Sequence, residues 1–79
     1  MENRESLAAL LREIGEDIDF EHETALVDDG LIDSLMISVI IAAIDTEFGV
    51  HIRVADIGPE NMNSLEAMLN LIAQYQAKA

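Results

Sequence analysis

Ser34-Leu35-Met36-Ile37-Ser38-Val39-Ile40-Ile41-Ala42-Ala43-Ile44-Asp45-Thr46-Glu47-Phe48-Gly49 reads as one helix with its stop attached. Met36, Ile37, Ile40, Ile41, Ile44 and Phe48 recur at helical spacing and share a broad apolar face, which assigns that face to a core. The other side carries Leu35, Ser38, Val39, Ala42, Asp45 and Thr46. It is small and lightly charged, and its two apolar residues, Leu35 and Val39, hint at docking. Gly49 suits the end of the helix.

Just upstream lies Asp28-Asp29-Gly30-Leu31-Ile32-Asp33. Asp29-Gly30 marks a turn, so Ser34 stands at a helix start directly after an acid. A helix start presents backbone N–H groups without ladder partners and the positive end of the macrodipole. A phosphodiester on Ser34 therefore sits where an anion is tolerated. The core face points elsewhere, so the hydroxyl is expected to be exposed. Taken alone, a serine at a helix start is most often a cap.

Before the turn, Glu2 to Ile14 places Leu7, Leu10, Leu11 and Ile14 on one helical face, and Gly15 closes it. Gly15 to Asp33 shows no sustained period. It holds Glu16, Asp17, Asp19, Glu21, Glu23, Asp28 and Asp29, yet Ile18, Phe20, Leu26, Val27, Leu31 and Ile32 recur, so the segment is expected to pack on the core. Loops this long in small domains are often functional. Beyond Gly49, Val50 to Ile57 has strand-like composition but no second strand to pair with, which favours a short helical turn around Val54 to Ile57. Gly58-Pro59 breaks the chain. Asn63 fits an N-cap with Glu66 answering it three residues on. The last helix, Ser64 to about Gln76, is expected to bury Leu65, Met68, Leu69, Leu71, Ile72 and Tyr75. The sum is an all-α fold, three long helices and one short one joined by a long first loop.

Composition agrees with one small domain over residues 1–79. An apolar share of 51% argues against disorder despite a net charge of -12, so the two kinds of residue must occupy different faces. Sixteen acids against Arg4, Arg12, Arg53 and Lys78 repel nucleic acid phosphate and anionic lipid, and point to proteins with basic surfaces as partners. The bland alternative is a solubility charge. No leader and no apolar run of membrane length is evident, so the chain is expected to be soluble and cytoplasmic; it is also expected to be monomeric. The lack of cysteine excludes disulfides, thiolate metal sites and a thiol nucleophile.

Gly30-Leu31-Ile32-Asp33-Ser34-Leu35 resembles the Asp-Ser-Leu attachment motif of acyl and peptidyl carrier proteins. Asp45-Thr46-Glu47-Phe48-Gly49-Val50-His51-Ile52 is similar to that family's acid-rich end of helix two with its Phe-Gly-Val. Asp56-Ile57 and Pro59-Glu60-Asn61-Met62-Asn63-Ser64-Leu65-Glu66-Ala67 are similar to its short third helix and its entry to the last one. The resemblance spans nearly the whole chain. It implies an acyl-carrier-like four-helix bundle whose Ser34 takes 4′-phosphopantetheine from coenzyme A, transferred in trans by a magnesium-dependent phosphopantetheinyl transferase. Asp33 matches the acid that helps place the serine in the transferase. Leu35 matches a residue that contacts partners, and Ser38, Val39 and Ala42 extend that surface. The arm's thiol would carry an acyl or aminoacyl thioester between adenylating or ligating enzymes and acyl-transferring or synthase enzymes.

Fatty-acid carriers usually have acids after the serine where this chain has Met36 and Val39, which favours a specialised polyketide or nonribosomal-peptide type of pathway. Fatty-acid and D-alanyl carriage remain the alternatives, and a protein-interaction module without the arm is the third. Asp33 also stands where peptidyl carriers often have His, and Arg53 where a proline is frequent. Hydrolysis by Ser34 needs a base and an orienting acid within reach. The candidate bases are His22, in the acidic loop, and His51, expected far from Ser34, and both read as surface residues. Asp17, Asp19, Glu21 and Glu23 alternate as in a calcium loop but lack its central glycine, so no dedicated metal site is expected.

Overall fold

Backbone hydrogen bonding in the computed structural model follows the period of the sequence closely. The structure describes residues 2–78; Met1 and Ala79, the two ends of the expected domain, lie outside the described residues. Helix α1 spans Glu2–Ile14, α2 Ser34–Phe48, α3 Pro59–Met62 and α4 Leu65–Lys78, with a 3₁₀ turn at Val54–Asp56. Among the described residues there is no strand. The fold is all-helical.

Helix α1 packs against α2 and α4, and α3 packs against α4. Leu7 and Leu11 of α1 meet Ile40 and Ile44 of α2, Met62 of α3, and Leu65, Met68, Leu71 and Ile72 of α4 in one buried cluster. The radius of gyration is 11.3 Å, against about 11.6 Å for a compact chain of this length. The buried apolar side chains form a single packed interior, and no buried polar side chain interrupts it among the described residues.

The long connection packs as expected through Phe20, Leu26 and Ile32, which are buried, while Leu31 is exposed. Leu26 organises it: its N–H donates to the Asn63 carbonyl, and its own carbonyl accepts from Leu31 and Ile32. Gly15 is tightly enclosed, because a Cβ there would stand 3.1 Å from the Ile18 side chain and 3.3 Å from that of Phe20. Val50 and Ile52 point into the core while His51 and Arg53 face out. That alternation explains the strand-like composition, and the Arg53 N–H donates to the Tyr75 hydroxyl rather than to a second strand.

Several expectations need correction. Gly58-Pro59 is a helix start rather than a break, with Pro59 at the first position of α3, where its missing N–H costs nothing. Ser64, not Asn63, caps α4, since its hydroxyl accepts from the Ala67 N–H at 3.0 Å. Asn63 instead reaches back to the loop before Ser34. Its side-chain oxygen accepts from Val27 N–H at 2.8 Å and Asp28 N–H at 3.1 Å, and its amide donates to the Asp28 carboxylate. Leu69 and Tyr75 are half-buried. So are Met36, Ile37, Ile41 and Phe48 of α2, leaving Ile40 and Ile44 as the part of that face sealed in the core.

Candidate functional site

Asp33 is the N-cap of α2. Its backbone is extended and its carboxylate accepts from the Met36 N–H at 2.9 Å. Its carbonyl takes the first ladder bond from Ile37 N–H. The cap being supplied by Asp33, the Ser34 hydroxyl is released from that duty and stands exposed at the first helical position. The turn ahead of it uses Gly30 at φ 72°, a left-handed geometry that glycine adopts without penalty. Ser34 is thus held by a capped helix behind and by a loop that Asn63 ties to the α3–α4 junction.

A groove of about 620 Å³ opens beside Ser34. Its floor on α2 is the stripe Ser34, Ile37, Ser38, Ile41, Ala42 and Asp45, in which Ser34, Ser38, Ile41 and Asp45 follow one another three or four residues apart, with Ile37 and Ala42 beside them. Val27, Ile57, Gly58 and Pro59 form the facing wall, and His51 stands at the end near Asp45. Ser38 presents little free polarity, because its hydroxyl donates to the Ser34 carbonyl at 3.1 Å. The groove is therefore mostly apolar, with a hydroxyl at its mouth and an acid–imidazole pair at its far end. His51 Nδ1 lies 3.0 Å from the Asp45 carboxylate.

The expected docking residues divide between two surfaces. Leu35 is 75% exposed and Val39 46%, and they form an apolar ridge along α2. Ser38 and Ala42 belong instead to the groove. Met36 is half-buried near Ile14, Gly15 and Ile18, away from the ridge.

His22 and His51 are both exposed, as expected, and each has its own acid: His22 Nδ1 lies 2.9 Å from Asp19. Eleven residues at 1.5 Å each separate Asp45 from Ser34 by roughly 16 Å along α2. Hydrogen-bond reach is about 3 Å, so the Asp45–His51 pair does not touch the Ser34 hydroxyl. Among the described residues no group of three or more His, Asp or Glu is placed to hold a metal ion. In the alternating acids, Asp19 faces His22 and Glu21 faces Arg12.

Electrostatically the Ser34 end is acidic, with Asp28, Asp29 and Asp33 exposed around it. Arg4 pairs with Glu66 and Arg12 with Glu21, and Lys78 sits over the Tyr75 ring at 5.8 Å. No helix of the described residues is long and apolar enough to cross a membrane.

The groove's second half, with Asp45, His51, Ile57 and Pro59, was not anticipated as a site. The available signal was the width of the apolar face of α2. A face broader than the core it meets must line something else. No family model, curated protein or solved structure matches the chain.

Proposed function

We propose that the chain is a stand-alone acyl or aminoacyl carrier with an acyl-carrier-like helical bundle, its cargo borne on 4′-phosphopantetheine attached to Ser34. The observation that carries this reading is the exposed Ser34 hydroxyl, free of capping duty, at the mouth of an apolar groove.

The residues present fit the group. A helix start accommodates a phosphodiester, since its N–H groups and dipole favour negative charge. The first turn of α2 adds no acid of its own, and the Asp33 carboxylate is turned to the Met36 N–H. In the modification, Ser34 Oγ bonds to the phosphorus of coenzyme A that bears the pantetheine. Adenosine bisphosphate leaves, and the hydroxyl proton passes to a base on the transferase. Among the described residues no histidine lies close enough to activate Ser34, so the transferase and its magnesium ion supply that chemistry. When attached, the arm supplies the thiol that the cysteine-free chain lacks, and holds cargo on it as a thioester. Ser34 is then a tether, and the chain itself is not an enzyme.

Partners are the transferase, a loading enzyme that adenylates or ligates the cargo, and enzymes that accept it. The Leu35–Val39 ridge offers them apolar contact, and the acids around Ser34 favour a basic rim. An apolar ridge in place of acids favours a specialised biosynthetic pathway over fatty-acid synthesis. The chain is read as a cytoplasmic monomer.

The test is intact mass after incubation with coenzyme A, magnesium and a broad-specificity phosphopantetheinyl transferase. One added phosphopantetheine is expected, absent in Ser34→Ala. An unchanged wild-type mass sinks the reading.

A further inference from the structure

The groove does not fade out on the surface; it runs from the Ser34 hydroxyl to Asp45 and His51. Roughly 16 Å of helix separates its two ends. The arm has about thirteen consecutive bonds from phosphorus to sulfur, or ~16 Å at the ~1.2 Å per bond of an extended peptide-like chain. The arm therefore spans the groove, with the bonds from Ser34 to phosphorus and from sulfur to the α-nitrogen left as slack. A thioester at the end of an arm laid along α2 therefore arrives beside the Asp45 carboxylate.

Resting on the carrier reading above, we propose that Asp45, oriented by His51, receives the α-ammonium group of a small aminoacyl cargo. One Asp45 oxygen faces His51 Nδ1 at 3.0 Å, which leaves the other to accept from a cation. The Asp45 side chain is 47% exposed, so it is reachable. Ile41 and Ala42 stand within a turn of Asp45 on α2, and with Ile57 from the facing wall they give the groove an apolar lining that suits a small aliphatic side chain. A long unbranched acyl chain fits less well. Continuing past the thioester, it meets a carboxylate and an imidazole, whose desolvation it cannot repay with hydrogen bonds. Cargo class is thus set by what stands at arm's length from Ser34.

The test compares two arms that differ only in the α-amino group. Coenzyme A analogues ending in a hydrolysis-resistant alanyl amide or propanoyl amide are transferred onto Ser34, and the products are checked by intact mass. Amide 1H–15N spectra are then recorded at neutral pH, where an α-amino group is largely protonated. Both arms are expected to shift the Ile37 and Ile41 amides. The alanyl arm alone is expected to shift those of Asp45 and His51, and Asp45→Asn is expected to abolish that difference. Equal shifts at Asp45 and His51 from the two arms overturn the proposal while the carrier reading stands, and so does the absence of any shift along the groove. A chain that gains no mass removes the carrier reading and this inference with it.

Discussion

Asp33 and Ser34 divide two tasks that sequence alone leaves merged. Either residue type can cap a helix, and a serine at a helix start usually does. The Asp33 carboxylate takes the Met36 N–H, so capping falls to the acid and the adjacent hydroxyl stays available. Replacing Asp33 with Ala is expected to lower stability by about 1 kcal/mol, whereas Asn, an equally good cap, is expected to change it by only a few tenths. Urea unfolding of the two variants checks this, and equal losses would remove the capping role. Asn63 carries the opposite lesson. Its sequence setting before Ser64 and Glu66 suits a cap, but two N–H groups in the preceding loop compete for its oxygen. A contact spanning thirty-six positions leaves no local trace in sequence.

Among the elements, α2 was the most legible and also the most over-read. Its limits at Ser34 and Phe48 follow from the turn before it and from Gly49, whose φ of 69° and N–H bond to the Asp45 carbonyl close the helix. Its apolar face, however, serves two neighbours. Ile40 and Ile44 meet the core, while Ile37 and Ile41 line the groove; periodicity reports apolar spacing but not what the face meets. Ile40→Ala is expected to cost about 2–5 kcal/mol through the cavity it leaves. Val39→Ala, on the exposed ridge, is expected to stay within about 0.5 kcal/mol. Thermal unfolding separates them, and similar losses would contradict the placement of the ridge. The short helix was expected from composition around Val54 to Ile57, where a 3₁₀ turn stands, while α3 begins at Pro59, because Gly58-Pro59 signals both an end and a beginning. A four-residue helix has too few positions for any period to show.

At the scale of the whole molecule, small size and high charge act together. Stability at about 0.05–0.15 kcal/mol per residue gives 79 residues about 4–12 kcal/mol, so one core truncation can remove most of it. The sixteen acids repel one another across a surface with only four bases. Added sodium chloride screens that repulsion, and its melting temperature is expected to rise between low and ~0.5 M salt. A fall over that range, followed by circular dichroism, would mean that attractive ion pairs outweigh the repulsion. The three long helices, their order and the single core were readable because each follows from apolar spacing. The groove was not, because it forms where α2 faces Ile57 to Pro59, and no local pattern states that those segments meet.

The carrier reading stands or falls on one atom, Ser34 Oγ. The most direct measurement is fragment-ion mapping of the chain after treatment with coenzyme A, magnesium and a phosphopantetheinyl transferase. The account predicts a single phosphopantetheine on Ser34, with Ser6, Ser38 and Ser64 unmodified. A chain that takes no arm, or takes it on another serine, contradicts it.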